Sequence, residues 1–196
     1  FMEEGSWIRK MFEEGAVLKE KYGEENVFDL SLGNPVVEPP QEFFEELRFL
    51  ANASTIGTHR YMPNAGYVDT REAVAKKLRI ETELEFTSNN ILMTCGAGGA
   101  LNVVLKTLLD PGDEVVIFAP YFVEYNFYVD NHGGICRVVP CDENFYPNLD
   151  VLNSTVNART KVILVNSPNN PTGVVYRASI IRQMAEIIQM KEREYG

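Results

Sequence analysis

The 196-residue chain has no excess of basic residues and no long apolar run, and each absence excludes a class of partner. Lysine and arginine number 18 against 28 acidic residues, so a net charge of −10 offers no electrostatic footprint for a nucleic-acid backbone. The longest apolar stretches, such as Val115 to Ala119, are far shorter than the roughly 20 residues that cross a bilayer. The N-terminus also lacks a signal-peptide pattern. We therefore predict a cytoplasmic protein that binds neither nucleic acid nor membrane.

Cysteine is scarce as well. The three cysteines, Cys95, Cys136 and Cys141, form neither a CxxC pair nor an even framework for disulfides. Each flanks or lies in an apolar run, so we interpret all three as buried reduced thiols without a redox role.

Apolar residues are plentiful enough for a sizeable core, since 45% of the chain is hydrophobic and 11% is aromatic. Helical periodicity runs from Glu3 to Tyr22 and from Gln41 to Ala51, and Val27 to Leu32 is predicted as a short strand. Asp69 or Thr70 is expected to cap a further helix.

Beyond Ser88 the pattern changes to short apolar runs that alternate with helical periodicity. The runs are Ile91 to Cys95, Val115 to Ala119, Ile135 to Val139 and Val162 to Val165. Strands that alternate with helices indicate parallel pairing with right-handed crossovers. We predict an α/β fold with a mainly parallel sheet and flanking helices.

The junction between the first run and its helix is rich in glycine, at Gly96, Gly98 and Gly99. Small residues let a ligand approach the backbone, and the first turn of a helix presents free amides to an anion. The dinucleotide motif would need a glycine at Leu101, and no Gly-Lys-Ser/Thr follows for a nucleoside triphosphate loop. The alternative is that these glycines only permit close packing of the helix on the sheet.

Two further loops follow predicted strands, where ligands of parallel sheets gather. The loop Asn166 to Gly173 is expected to share one crevice with the glycine junction. Asn170 precedes a proline, which favours an extended backbone, and its side-chain amide can point into the crevice as a neutral hydrogen-bond partner for a ligand. Phe122 can stack on a planar ring, worth about 1 kcal/mol. An ordinary turn and ordinary core packing are the respective alternatives.

Together these segments resemble the class I and II aminotransferases, fold-type I enzymes that depend on pyridoxal 5′-phosphate. The matching segments are Leu30 to Pro35, Tyr61 to Gly66, Leu92 to Leu101, Leu109 to Val115, Ala119 to Phe122 and Asn166 to Gly173. Their order and spacing agree along essentially the whole chain. The resemblance implies an N-terminal arm with part of a small domain in residues 1–52. It implies the first half of the large cofactor-binding domain in residues 53–196.

The resemblance also implies roles for single residues. The amides of Ala97 and Gly98 would hold the cofactor phosphate. Phe122 would stack on the pyridine ring, and Asn170 would hydrogen-bond the phenolic oxygen of that ring. Many relatives have a hydroxyl side chain in the phosphate loop where this chain has glycine, so fewer side-chain contacts to the phosphate are expected, although backbone amides can suffice.

Two residues in the first part of the chain match positions near the site. Tyr61 would reach the cofactor phosphate of a neighbouring subunit, which implies a homodimer; packing on its own subunit is the alternative. Gly33 would lie near the substrate carboxylate, and a turn glycine is the alternative.

The resemblance further requires a Schiff-base lysine, an acidic residue facing the pyridine nitrogen and an arginine for the substrate carboxylate. In the family these lie downstream of residue 173, where this chain has only a predicted helix from Ser179 to about Glu194. Lys161 begins a strand and Lys191 lies on a polar helix end, so neither matches. We expect an N-terminal half of an aminotransferase, with no catalytic residue in this chain and no activity by itself.

Other functions use the same fold. The alternatives are a C–S lyase, a cyclopropane-forming synthase and a non-catalytic ligand-sensing module attached to a DNA-binding region. The absence of a basic helix-turn-helix pattern in the first ~85 residues weakens the last of these.

Overall fold

The computed structural model describes residues 7–28, 30, 33, 37–53, 56, 57 and 59–195. The chain divides into two compact units, Phe1–Tyr61 and Met62–Gly196. The domain roles assigned to residues 1–52 and 53–196 stay predictions.

The first unit contains two helices that the periodicity predicts, α1 (Trp7–Tyr22) and α2 (Gln41–Asn52). The predicted strand from Val27 to Leu32 is wrong for its described residues, none of which lies in a strand. Phe28 and Leu30 are 87% and 94% exposed, so this run has no sheet to pack in. The other positions of the run, 29, 31 and 32, lie outside the described residues.

In the described residues, the second unit has five helices, α3 (Val68–Thr82), α4 (Gly96–Leu108), α5 (Glu124–Asp130), α6 (Leu149–Thr155) and α7 (Ala178–Tyr195). The predicted cap at Asp69 or Thr70 is wrong, because the Tyr67 carbonyl already accepts the first helical hydrogen bond from Arg71 at 3.1 Å. The helix predicted after Ser179 is confirmed as α7. No helix of the described chain has the length and apolarity that crossing a membrane requires.

The described strands of this unit form one parallel sheet from β1 (Glu114–Ala119), β2 (Ile135–Pro140) and β3 (Thr160–Ile163), in the order β2-β1-β3. Val116 lies opposite Arg137 on one side and Ile163 on the other. Helices α5 and α6 separate the strands along the chain, as parallel pairing requires. The predicted α/β fold with a parallel sheet and flanking helices is confirmed.

The strand predicted from Ile91 to Cys95 is wrong. This segment forms a single backbone hydrogen bond across the fold, from the Met93 N–H to the Ala65 carbonyl at 3.0 Å. Leu92 is 54% exposed. A strand requires a ladder of bonds to a neighbour, and an apolar run by itself does not supply that neighbour.

Successive side chains of strand β1 point to opposite sides of the sheet. Because nearly all of them are buried, both faces of the strand are covered. One face packs in a cluster of Leu105, Leu109, Val115, Ile117 and Val129. The other packs in a cluster of Val116, Phe118, Val139, Leu152, Val156 and Met184. Helices α4 and α5 therefore cover one face of β1, and α6 and α7 cover the other.

The thiols are free, but they do not all lie where the sequence indicates. Cys95 is exposed because it precedes the open first turn of α4, and Cys136 and Cys141 are half-buried, so the prediction of three buried thiols is wrong. Burial raises the pKa of Cys136 to about 11 and also raises the pKa of Cys141, so both stay protonated near neutral pH.

Candidate functional site

The first turn of α4 presents an open, positively polarised end. Gly96 begins the helix with φ +70°, a left-handed value that side chains disfavour, and nothing lies within 4 Å of the position its Cβ would take. Cys95 forms no side-chain cap, and the first turn carries no acidic residue. The amides of Ala97 and Gly98 lack helical partners, and together with the helix dipole they favour an anion here.

The loop of residues 166–173, which follows β3, is held by its own side chains. Asn166 Oδ1 accepts a hydrogen bond from the backbone N–H of Asn170 at 2.7 Å. The buried Asn169 accepts with Oδ1 from the N–H of Thr172 at 3.2 Å and from its hydroxyl at 2.9 Å. Ser167 Oγ accepts from a backbone N–H downstream at 2.9 Å. These bonds fix the loop relative to the strand it leaves.

Asn170 is left with an available side chain. The residue is exposed, and among the described residues its side-chain amide has no hydrogen-bond partner. Sequence reasoning selected Asn170 but missed Asn166, Ser167 and Asn169 as the residues that shape the loop. Their signal was present, since asparagine and serine next to proline commonly bond the local backbone.

Phe122 lies just beyond the end of β1 and is half-buried. Its ring meets Tyr125 edge to face, with centroids 5.7 Å apart and an interplanar angle of 82°. Tyr125 is itself buried, and burial raises its pKa. Helix α5 therefore fixes the Phe122 ring while part of that ring stays accessible to a flat ligand.

The loops after β1 and β3 meet at a small recess lined by Ile117, Phe118, Tyr121, Tyr125, Leu164, Asn166, Asn169 and Tyr176. Its volume of about 10 Å³ is at the lower limit for holding one water molecule, so a larger ligand would lie outside it. The loops after β1 and β3 therefore lie close together at Tyr121 and Asn169, which directly precede the predicted site residues Phe122 and Asn170 in the chain. No group of three or more metal-ligating side chains comes together in the described part of the chain.

Helix α5 also connects this region to the first turn of α4. Tyr125 contacts Phe122, and three residues later Tyr128 approaches Gly98. Residues three apart lie on one side of a helix, so the same side of α5 faces both predicted positions.

Gly33 and Tyr61 belong to the first compact unit. Gly33 is exposed, and nothing lies within 4 Å of the position its Cβ would take. Tyr61 is fully exposed among the described residues. The roles of both residues near a substrate or a neighbouring subunit stay predictions.

Two curated relatives show how far the sequence similarity extends. The chain is 41% identical over 160 residues to the probable aspartate/prephenate aminotransferase of Thermus aquaticus, covering 81% of this chain and 41% of that protein. It is 36% identical over 161 residues to the probable aspartate aminotransferase of Methanocaldococcus jannaschii, covering 82% of this chain and 42% of that protein. The chain thus spans less than half the length of these relatives.

Solved structures share the fold. An amino transferase from Eubacterium rectale superposes with a TM-score of 0.91 at 36% identity, covering 97% of this chain and 49% of that chain. The aspartate aminotransferase of Thermus thermophilus with maleate gives a TM-score of 0.82 at 32% identity, covering 96% of this chain and 49% of that chain. The predicted fold-type I architecture is confirmed by these neighbours.

The family comparison agrees with the motifs. The chain matches the family described as Aminotransferase class I and II over residues 25–193, which include the glycine turn, Phe122 and Asn170. The predicted resemblance is therefore confirmed, and the chain belongs to the class I and II aminotransferase family.

Proposed function

We propose that the chain holds the cofactor of a pyridoxal 5′-phosphate-dependent aminotransferase, which exchanges an amino group between an amino acid and a 2-oxo acid. The open first turn of α4 is the observation that carries this proposal, because its free amides and left-handed glycine form a cradle for a phosphate. Membership in the aminotransferase family supports the same assignment.

The described residues fit the phosphate of such a cofactor. The position that a Cβ of Gly96 would take is open, and Ala97 is exposed, so a tetrahedral anion can reach the backbone. The first turn has no acidic residue that would repel it. We assign the phosphate to the amides of Ala97 and Gly98.

The ring of the cofactor fits the loops at the ends of β1 and β3. The accessible part of the Phe122 ring offers a stacking surface, and the Asn170 amide is exposed while Asn166 holds the backbone of Asn170 in place. Asn170 donates to the phenolic oxygen and so favours the ionised form of that oxygen.

The chemistry of the site follows from these contacts. When bound, the cofactor supplies an electron-withdrawing ring that lets the Cα proton of an amino acid leave. The backbone amides of α4 anchor one end of the cofactor, Phe122 restrains the tilt of its ring, and Asn170 holds the ring oxygen. This chain thus orients the cofactor and sets the charge of its ring oxygen.

The groups that move protons and bind the substrate carboxylate are not assigned to this chain. We propose that the lysine, the acidic residue and the arginine belong to the region equivalent to the rest of the relatives' length, since this chain spans 41% of one relative and 42% of another. The homodimer, with Tyr61 reaching a neighbouring subunit and Gly33 near the substrate, and the cytoplasmic location are part of the same proposal.

Names of relatives suggest which substrate to try first. Several are called aspartate or aspartate/prephenate aminotransferases. We propose aspartate with a 2-oxo acid acceptor as the first pair to assay with the complete enzyme.

Calorimetric titration of the purified protein tests the cofactor assignment. Pyridoxamine 5′-phosphate is the probe, because its amine forms no adduct with surface lysines, and pyridoxamine is the matched control without phosphate. We expect affinity at least about tenfold higher for the phosphorylated ligand. Equal affinities, or no binding of either compound, would refute the proposed function.

A further inference from the structure

The hydroxyl of Tyr128 occupies the space beside Gly98 where a side chain would otherwise stand. A Cβ built on Gly98 would lie 2.9 Å from that hydroxyl oxygen and 3.4 Å from the ring carbon that bears it. Real Cβ atoms essentially never approach a neighbour closer than 3.0 Å. A side chain at position 98 would therefore force the Tyr128 hydroxyl to shift.

This space lies at the open end of α4. Gly98 belongs to the first turn of the helix, and Cα–Cβ bonds in a helix tilt towards its N-terminus. A group that fills the Cβ position of Gly98 therefore lies towards the amides of Ala97 and Gly98. The hydroxyl thus stands next to the proposed phosphate cradle.

The Tyr128 ring is held in place while its hydroxyl keeps its capacity to donate. The ring packs against the buried cluster that contains Leu105, Ile117 and Val129. Among the described residues, the hydroxyl has no hydrogen-bond partner. Tyr128 is half-buried, and its hydroxyl is not one of the buried polar atoms that lack a partner, so the hydroxyl is open to a ligand at this turn and can donate to it.

A second contact joins α4 to the segment that follows α5. Asn102 Nδ2 donates to the Gly98 carbonyl at 2.9 Å, and Asn102 Oδ1 lies 3.1 Å from His132 Nε2. Residues 98 and 102 are about one helical turn apart, as are 128 and 132 in sequence spacing. This contact and the packing of the Tyr128 ring both restrain Tyr128 relative to the first turn of α4.

We propose that Tyr128 donates its hydroxyl to the phosphate of the cofactor, because that hydroxyl lies beside Gly98 in the first turn of α4. The inference rests on the proposed function, and it explains how a loop of glycine and alanine gains a side-chain donor. A phenol that donates to an anion forms a charge-assisted hydrogen bond, which is stronger than a bond between neutral groups.

The first test compares Tyr128→Phe with the wild-type protein. We expect about tenfold weaker binding of pyridoxamine 5′-phosphate, the equivalent of one lost charge-assisted bond, and unchanged binding of pyridoxamine. Tyr146→Phe is the matched control, since Tyr146 is half-buried against Tyr176 and is expected to change neither affinity. An unchanged phosphate affinity in Tyr128→Phe, or an equal loss for both ligands, would overturn the inference.

A reciprocal exchange separates ligand binding from packing. Gly98→Ser is expected to weaken phosphate binding, because its Cβ meets the Tyr128 hydroxyl. In Tyr128→Phe the nearest ring atom is 3.4 Å away, so the double variant can hold the serine and should regain most of the lost affinity. Failure of this rescue in a double variant with wild-type thermal stability would overturn the inference. If the wild-type protein shows no preference for the phosphorylated ligand, the proposed function fails first.

Discussion

The Glu114 carboxylate accepts a hydrogen bond from the Arg137 guanidinium at 2.6 Å, although Glu114 is completely buried. Glu114 begins the central strand β1, and Arg137 belongs to β2. On the side of β3, Asn157 Nδ2 donates to the same carboxylate at 2.8 Å, and the Arg159 guanidinium lies 3.0 Å away. One carboxylate thus links β1 to β2 and to the segment that leads into β3, at the end of the sheet opposite the candidate site.

Glu114→Gln is expected to lower the free energy of unfolding by about 1–3 kcal/mol, the range for leaving buried hydrogen-bonding groups poorly satisfied. Arg137 and Arg159 have side chains that are 42% and 63% exposed, so both stay hydrated after the change. The loss should therefore stay below the roughly 3–5 kcal/mol seen when a fully buried pair is broken. Urea denaturation measures it.

Glu81→Gln is the matched control for this change. Glu81 pairs with Lys77 at 3.6 Å on an exposed helix surface, and loss of such a pair changes stability by less than about 0.5 kcal/mol. Equal shifts in the two variants would contradict the linking role of Glu114.

The acid stability of the protein is expected to depend on Glu114. The hydrogen bond from Arg137 is the main reason that the pKa of Glu114 lies below its ordinary value of 4.5 in the folded chain. As the pH falls, the unfolded chain binds the proton first, so the stabilisation is complete above the ordinary value and is lost through the folded value. The difference in the free energy of unfolding between wild type and Glu114→Gln should be constant near neutral pH and should shrink in acid. Urea denaturation at a series of pH values measures it. A difference that persists unchanged in acid would contradict the linkage.

Two alanine substitutions in the glycine turn are expected to act in opposite directions. Gly96→Ala should lower the unfolding free energy by about 1–2 kcal/mol, because its φ of +70° is left-handed. Gly99→Ala should raise it by up to about 1 kcal/mol, since a helical alanine loses less entropy. The new Cβ would meet Thr94 at an ordinary 3.6 Å. Shifts of the same sign in chemical denaturation would show that backbone conformation does not govern this turn.

The two neighbouring asparagines of loop 166–173 should separate stability from binding. Asn169→Ala removes the acceptor of two hydrogen bonds from a buried position and should lower stability by about 1–3 kcal/mol. Asn170→Ala should change stability by less than about 0.5 kcal/mol, because its side chain is exposed. It should weaken pyridoxamine 5′-phosphate binding by about tenfold. Urea denaturation measures the free energy of unfolding of both variants, and calorimetric titration measures their affinity for pyridoxamine 5′-phosphate. An Asn170→Ala variant that loses stability but keeps its affinity would contradict the binding role of Asn170.

The 196-residue chain is expected not to transaminate by itself, because the lysine, acid and arginine that the resemblance requires match none of its residues. An assay with added pyridoxal 5′-phosphate, aspartate and a 2-oxo acid measures this. Cofactor without protein gives the background, and the Thermus thermophilus aspartate aminotransferase is the positive control. Turnover above background would show that a residue of this chain replaces the missing lysine.

Much of the fold could be predicted from the sequence, because the pattern of apolar residues along a short segment indicates whether that segment forms a strand or a helix. The three runs that become β1, β2 and β3 are apolar and short, and β1 is continuous because it is buried on both faces. The sequence predicted helices between the strands but gave no bounds for α5 and α6, because seven residues hold too little of a helical period. The run at 91–95 has the same composition as a strand, yet among the described residues no neighbour forms a ladder with it.

The sequence by itself determined the order of the loops, the glycine turn and the family, because these depend on residues close together along the chain. Only the tertiary structure showed that Asn169 is buried while Asn170 stays exposed, and that Tyr128 fills the space beside Gly98. The Tyr128 contact joins residues distant in sequence, and the burial that distinguishes Asn169 depends on packing elsewhere in the chain. Distances and burial of this kind arise only when strands and helices pack, so no local pattern contains them.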